Sequence, residues 1–163
     1  MARALERMMI ERTWRPSSRK GVSLRDQICF SDTIWPGGKE GAIFDHVLRM
    51  IPDAVMLPRN ELPQPTHRRS FHAIQVNKYD PKIWSHAEPH PDSGNAGISW
   101  MIVLGSFKGG TFCIQDREKP AEPAKIDTRN QWILFDGLRT HWSSPITAGT
   151  RYSVIAFTFK DLG

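Results

Sequence analysis

The first part of the chain carries apolar residues at helical spacing. Over residues 1–12, Leu5, Met8 and Met9 fall on one side, which predicts a short helix. A stronger helix is predicted after the Gly37-Gly38 pair, and Pro52 ends it. We expect its apolar stripe to pack on a sheet. That stripe consists of Ile43, Phe44, Val47, Leu48 and Ile51.

From residue 71 onward the pattern changes to short segments that are alternating, β-branched or aromatic-rich. These segments predict strands, and Gly, Asn and Pro turn signals separate them. Residues 52–66 contain several prolines and are interpreted as a loop, and the basic stretch 13–21 as an irregular connection. Helices followed by a series of short strands predict a mainly β fold, a sandwich or barrel buttressed by N-terminal helices. The predicted strands are 71–79, 98–104, 110–115, 131–136 and 151–159.

Length and composition narrow the setting of the protein. A chain of 163 residues is expected to form one domain over 1–163, with helical and loop support from 1–70 and a β core over 71–160. Cys29 and Cys113 show no paired spacing and are interpreted as reduced thiols. The charged N-terminus does not resemble a signal peptide, and no apolar run is long enough to span a bilayer. We therefore expect a cytoplasmic or nuclear protein without a membrane partner.

Two histidines and one aspartate form a candidate metal site. His90 and Asp92 lie one residue apart on an extended segment, so both side chains leave the chain on the same side. His141 follows a predicted strand and the turn over 135–137. Two imidazoles and one carboxylate suit Fe(II), Mn(II) or Co(II) and leave the opposite face of the ion open. Zinc also remains open on ligand chemistry alone.

A candidate anion site follows the second histidine. Arg151 and Ser153 share a face at the start of the last predicted strand, and Asn77 and Tyr79 share a face on the first. Arginine binds carboxylates through paired hydrogen bonds and stays charged at any working pH. The four residues are therefore candidates to hold a small dicarboxylate whose other end reaches the metal. Taken alone, Arg151 fits a surface ion pair equally well.

In this order the motifs resemble those of the 2-oxoglutarate and Fe(II)-dependent dioxygenases, over roughly residues 71–160. Both the AlkB-like and the prolyl-hydroxylase-like members show a similar order. The motifs are N-x-Y (Asn77, Tyr79), H-x-D (His90, Asp92), L-G-x-F-x-G-G (Leu104 to Gly110), F-D-G-x-x-x-H (Phe135 to His141) and G-x-R-x-S (Gly149 to Ser153).

The resemblance implies a double-stranded β-helix (jelly roll) and a dioxygenase activity. It implies that His90, Asp92 and His141 ligate Fe(II). It also implies that 2-oxoglutarate binds the metal and reaches Arg151 and Ser153, with Tyr79 and Asn77 assisting. With O2, such an enzyme hydroxylates or oxidatively demethylates its substrate and releases succinate and CO2. No catalytic residue beyond the metal ligands is implied.

Four further residues are candidates for the substrate pocket. Trp100 and Trp142 lie next to the motif strands and are candidates to wall the pocket or stack on a planar substrate, although core packing suits them as well. His86 is close to the triad in sequence. Asp136 precedes His141 and is a candidate acceptor for the N–H of a ligand imidazole, or simply a turn aspartate.

The substrate remains open at this stage. The net charge of +5 and the six tryptophans favour DNA or RNA, with a nucleic-acid base as the group oxidised. Against this, AlkB-type enzymes carry a second arginine where this chain has Phe157. A peptide is the alternative, since the glycine-rich run over 109–112 resembles prolyl 4-hydroxylases equally well. A basic β-barrel that binds nucleic acid without catalysis is a further alternative.

Overall fold

The fold is built from two sheets that pack face to face, a short two-stranded pair, and two helices on the outer face of the larger sheet. A computed structural model describes residues 1–17, 28–51, 71–96, 98–116, 118–119 and 121–160. The elements, in chain order, are α1 Ala2–Glu11, β1 Phe30–Ile34, α2 Gly41–Met50, β2 Ala73–Tyr79, β3 Ile98–Leu104, β4 Phe107–Gly109, β5 Phe112–Ile114, β6 Ala124–Ile126, β7 Ile133–Asp136, β8 His141–Ser143, β9 Ile146–Gly149 and β10 Arg151–Phe157.

The chain alternates between the sheets. The main sheet has the order β1-β2-β10-β3-β7 and the opposing sheet the order β6-β5-β8, while β4 and β9 form a separate pair. All strand pairs are antiparallel. From β3 onward the chain runs from the main sheet to the opposing sheet and back, which winds it into a double-stranded β-helix. The expected mainly β jelly roll with N-terminal helices is therefore confirmed.

The pleat of the main sheet separates two cores. On one face, Ile102 and Leu104 of β3 pack with α1 and α2. On the other face, Met101 and Val103 of the same strand pack against Phe112 of the opposing sheet. Successive side chains of a strand point to opposite faces, so a continuous apolar strand serves both cores. The space between the sheets thus lies on the β3 face that carries Met101.

Both predicted helices are present, and they cover the outer face of the main sheet. Leu5 and Met9 of α1 and Val47 of α2 are fully buried there. The described helices contain ten residues each, and none is long and apolar enough to cross a membrane. The proline-rich loop over 52–66 lies outside the described residues, as does part of the stretch 13–21.

Several strands were missed by the sequence analysis. The most consequential is β1, which pairs with β2 in the register Ser31↔Asn77 and Thr33↔Gln75. Its polar residues hide it, since Ser31 and Thr33 face polar partners on β2 instead of forming an apolar stripe. The short strands β4, β6, β8 and β9 were also missed, because three or four residues give too little periodicity to identify a strand.

One arginine connects α1, β1 and α2. The Arg12 guanidinium donates to both Glu40 carboxylate oxygens, at 2.9 and 2.8 Å, and to Asp32 Oδ2 at 2.9 Å. Its Cζ lies 4.2 Å from the ring centroid of Trp14. The Arg12 side chain is only 6% exposed, whereas the two carboxylates are about a third exposed. Arg12 therefore fixes the helices on the edge strand through a planar, bidentate contact that lysine cannot reproduce.

We expect Arg12→Ala to lower the free energy of unfolding by about 1–3 kcal/mol, because it leaves two half-buried carboxylates without their ion-pair partner and removes the stacking on Trp14. The control is Arg7→Ala on the exposed side of α1, which should change stability by less than about 0.5 kcal/mol. Urea unfolding measures both. Equal effects of the two substitutions would contradict the role assigned to Arg12.

Candidate metal and anion site

A backbone pairing brings the two histidines together. The N–H of each of His90 and His141 donates to the carbonyl of the other, both at 3.0 Å. His141 begins β8, and the segment before His90 runs alongside that strand, with the Ser143 N–H donating to the Ala87 carbonyl at 3.2 Å. The segment leading to His90 thereby extends the opposing sheet. Two residues far apart in sequence consequently present their imidazoles side by side, with ring centroids 4.5 Å apart.

The ligand atoms of the triad converge. Asp92 Oδ1 lies 3.5 Å from His90 Nε2, and Asp92 Oδ2 lies 3.2 Å from His141 Nε2. Ligand atoms of all three residues lie within 4.8 Å of one another. Bonds of about 2.1 Å at right angles place neighbouring ligand atoms about 3 Å apart. The separations therefore suit one face of a single metal ion, and the opposite face would point into the pocket.

Backbone carbonyls orient both imidazoles. His90 Nδ1 lies 2.5 Å from the Glu88 carbonyl oxygen, and His141 Nδ1 lies 2.7 Å from that of Arg139. A carbonyl oxygen only accepts, so Nδ1 carries a proton in each ring, and Nε2 faces Asp92 with either a proton to donate to that carboxylate or a lone pair for a metal ion. The form with the lone pair is the tautomer that a metal ion at Nε2 requires.

Asp92 is held by the turn that precedes His141. Its N–H donates to the Gly137 carbonyl at 2.7 Å, and its own carbonyl accepts from the Asn95 N–H at 2.9 Å. Burial acts to raise the pKa of the Asp92 carboxyl, but hydrogen bonds and the charges of His141 and His90 outweigh it, so the net pKa lies well below its usual range. The carboxylate is therefore ionised, as a metal ligand must be.

The four anion-site residues face one another across two paired strands. In the antiparallel register of β2 and β10, Arg151 lies opposite Tyr79 and Ser153 lies opposite Asn77. Asn77 Nδ2 donates to Ser153 Oγ at 2.8 Å, and Arg151 Cζ lies 4.9 Å from the Tyr79 ring centroid. The strand parity that the sequence analysis used thus places all four side chains on the inner face.

Arg151 is a buried cation without a carboxylate partner among the described residues. The residue is 2% exposed, and its Nε has no hydrogen-bond acceptor. Burial lowers the pKa of Arg151 below its ordinary value, and interaction with Tyr79 only partly opposes this. An uncompensated buried charge costs several kcal/mol. The arrangement is therefore complementary to an anion entering from the pocket.

One pocket contains both groups. It is lined by the three triad residues, by Arg151 and Ser153 with Tyr79 and Asn77, and by apolar side chains from both sheets. The sequence analysis did not assign these apolar residues to a pocket, although strand parity could have found those on β3 and β10. They are Met101, Phe112, Phe135, Ile155 and Phe157.

The four predicted substrate-pocket residues have different outcomes. Trp142 lines the pocket. Trp100 does not: it packs in the helix-side core with Phe71, because it has the opposite parity to Met101 on β3. Of the two roles that the sequence analysis left open for Trp100, its position therefore fits core packing.

His86 and Asp136 also lie outside the pocket lining. Both ring nitrogens of His86 are hydrogen-bonded: Nδ1 to Ser85 Oγ at 2.9 Å and Nε2 to Glu88 Oε1 at 2.7 Å. Asp136 Oδ1 accepts from the Leu138 N–H within the turn. The role proposed for Asp136, accepting from a ligand imidazole, is filled instead by the backbone carbonyls of Glu88 and Arg139.

Comparison with known proteins supports the fold. No protein-family model matches the sequence, and no curated protein matches it significantly. Among solved structures, a 2OG-Fe(II) oxygenase family oxidoreductase from Burkholderia pseudomallei aligns with a TM-score of 0.57 at 16% identity, over 95% of this chain and 75% of its own. A Pseudomonas putida prolyl-4-hydroxylase aligns with a TM-score of 0.59 at 16% identity, over 98% of this chain and 84% of its own. The chain shares the fold of these proteins.

Gly110 makes room for the arginine. Its φ is +68°, and a Cβ there would lie 2.9 Å from Arg151 Cδ and 2.7 Å from Ile146 Cγ2. The close approach of this backbone supports the buried position of the Arg151 stem.

We expect Gly110→Ala to destabilise the protein more than Gly37→Ala. Gly37 has nearly the same φ, +69°, but a Cβ there meets nothing within 4 Å. Each substitution should cost about 1–2 kcal/mol for the left-handed backbone. Gly110→Ala should cost about 1–3 kcal/mol more for displacing Ile146 and Arg151. Urea unfolding of the pair isolates the contact, and equal losses would show that Arg151 is not held against Gly110.

Proposed function

We propose that this protein is an Fe(II)- and 2-oxoglutarate-dependent dioxygenase. The observation that carries the proposal is a buried arginine, without a carboxylate partner in the described part of the chain, in the same pocket as three residues whose potential metal-ligand atoms converge. The fold shared with a 2OG-Fe(II) oxygenase family oxidoreductase supports it.

The donor set fits a non-haem iron. His90 and His141 would offer Nε2 lone pairs, and Asp92 offers an ionised carboxylate, which is the two-histidine, one-carboxylate set that leaves three sites of an octahedral ion open. Zinc favours four ligands in a closed structural site and one open position in a catalytic one. An open face beside an anion site suits an ion that also binds a chelating cosubstrate and O2, so iron is the better assignment.

The anion site fits the far end of 2-oxoglutarate. A dicarboxylate bound to the metal by one end would present its other carboxylate to Arg151, which supplies the charge, and to Ser153, which supplies a hydroxyl. Tyr79 stacks on the guanidinium and Asn77 holds Ser153. Binding of the anion would compensate a charge that the fold has already buried, so the site is organised before the cosubstrate arrives.

The bound iron, 2-oxoglutarate and O2 would supply the oxidising chemistry, with succinate and CO2 as products. The protein's part is positioning and exclusion of water. The apolar lining, including Phe112 and Phe135 from the two sheets, would exclude water from the metal face except where the pocket opens. Such a lining protects a reactive centre from side reactions.

For the substrate, a peptide is the better supported class. The second solved structure with this fold is a prolyl-4-hydroxylase. Phe157, which stands where AlkB-type enzymes carry a second arginine, lines the pocket and gives it an apolar wall. A nucleic-acid base is the second candidate, supported by the net charge of +5 and by Trp142 in the pocket lining, where it could stack on a planar ring.

A non-catalytic binding module is disfavoured by the same geometry. Such a module has no use for three ligand atoms within 4.8 Å of one another with both imidazoles oriented by backbone carbonyls. The basic charge it would need is equally available to an enzyme.

We expect Mn(II) to bind the wild-type protein and 2-oxoglutarate to bind the Mn(II) form. His141→Ala should abolish metal binding. Arg151→Met should weaken 2-oxoglutarate binding by at least about 30-fold, while the affinity for the metal stays within about threefold of the wild type. Calorimetry under nitrogen measures both, and with Fe(II) the cosubstrate should give a weak visible charge-transfer band. His46→Ala and Arg49→Met on α2 are the controls and should bind like the wild type. Unchanged 2-oxoglutarate affinity in Arg151→Met would refute the anion assignment.

A succinate-formation screen distinguishes the substrate classes. We expect proline-containing peptides to raise succinate release well above the rate without substrate, and modified oligonucleotides to do so less or not at all. Phe157→Arg is the informative variant, because it introduces into the pocket wall the arginine that AlkB-type enzymes carry at this position. Stimulation by oligonucleotides alone, weakened by added salt, would reverse the assignment in favour of a nucleic-acid base.

A further inference from the structure

A chain of buried hydrogen bonds crosses the main sheet and ends at Ser153. It begins on β1, the edge strand that the sequence analysis missed. Ser31, Asn77 and Ser153 lie directly opposite one another on three adjacent strands, and all three are at most 6% exposed. Gln75, one residue pair further along β2, is 8% exposed and also belongs to the chain.

A backbone carbonyl sets the sense of the first links. Gln75 Nε2 donates to the Asp32 carbonyl at 2.9 Å. A carbonyl cannot donate, so the amide of Gln75 has only one orientation, and Thr33 Oγ1 donates to its oxygen at 3.1 Å. The second proton of Nε2 is donated to Ser31 Oγ at 2.6 Å.

The sense then passes from residue to residue. Because Ser31 Oγ accepts from Gln75, its own proton is donated to Asn77 Oδ1, at 2.7 Å. This fixes the amide of Asn77, whose Nδ2 donates to Ser153 Oγ at 2.8 Å. Ser153 Oγ has accepted one hydrogen bond, so its proton remains to be donated, and no described residue accepts it. An anion bound in the pocket beside Arg151 would accept it.

We propose that Ser31 and Gln75 are positioning residues for the anion site: through Asn77 they keep the Ser153 hydroxyl in the donating orientation towards the cosubstrate carboxylate. The inference rests on the proposed function, since it takes that carboxylate to be the far end of 2-oxoglutarate. Without Ser31 the Asn77 amide can turn over, and its oxygen would then take the Ser153 proton away from the ligand. Polarised chains of this kind are stronger than the sum of their isolated links.

The test is a double-mutant cycle on 2-oxoglutarate affinity, measured by calorimetry with the Mn(II) protein. Ser31→Ala should weaken 2-oxoglutarate binding about fivefold, which corresponds to one net hydrogen bond. Ser153→Ala should weaken it about fivefold or somewhat more. The double variant Ser31→Ala/Ser153→Ala should bind 2-oxoglutarate no more weakly than Ser153→Ala alone, because Ser31 acts only through Ser153. Ser31→Thr keeps the hydroxyl and should restore the affinity. In turnover, the KM for 2-oxoglutarate should rise with kcat unchanged.

A purely structural role for Ser31 predicts a different pattern. In that case Ser31→Ala would lower the melting temperature, and its fold-loss of 2-oxoglutarate affinity would multiply with that of Ser153→Ala, which makes the two free-energy changes additive. Additive free-energy changes, or an unchanged 2-oxoglutarate affinity in Ser31→Ala, overturn the inference. Gln75→Leu is the second variant if Ser31→Ala fails to fold, and it should give the same loss and the same non-additivity with Ser153→Ala. Arg151→Met separates the two proposals: if it binds 2-oxoglutarate normally, the proposed function fails, whereas its loss of binding with an additive cycle rejects only the role of Ser31 and Gln75.

Discussion

The buried guanidinium of Arg151 is the constraint on which the site depends. A cation that is 2% exposed, with no carboxylate partner among the described residues, is costly, so the surrounding structure has to hold it in place. Tyr79 covers it from the neighbouring strand, and Gly110 gives its stem room that any side chain would remove. Burial of the charge makes folding less favourable. An anionic ligand that pairs with the charge recovers this free energy when it binds, which is how preorganised sites gain affinity.

The architecture divides the work between the two sheets. The main sheet carries the proposed anion site through the β2–β10 register, and the opposing sheet carries the two histidines of the candidate metal site through the pairing of His90 with His141. Asp92 is connected to both, because it is held by the turn between β7 of the main sheet and β8 of the opposing sheet. The packing of Phe112 on Phe135 joins the two sheets across the inner core, and both rings line the pocket that contains the two groups.

Much of this could be predicted from the sequence, because the relevant information is periodic. Alternation along a strand put Asn77 with Tyr79 and Arg151 with Ser153, and the structure places these pairs opposite one another. The same rule, applied to β3, would have placed Trp100 on the face away from Met101 and removed it from the pocket. What sequence could not supply was the pairing of segments remote from one another, such as β1 with β2, or a carbonyl that takes the place expected for the Asp136 side chain.

The inner face of β2 shows why these two kinds of information meet at the site. Ile74 and Val76 face the helices, while Gln75, Asn77 and Tyr79 face the pocket, so the strand is buried on both sides although half of it is polar. Polar groups at such positions have to be hydrogen-bonded. The edge strand β1 satisfies them on one side with equally polar residues, and on the other side Ser153 and Arg151 of β10 face the pocket where the proposed anion would bind. A polar strand that looks unsuited to a core is thus explained once its partner strands and the proposed ligand are considered together.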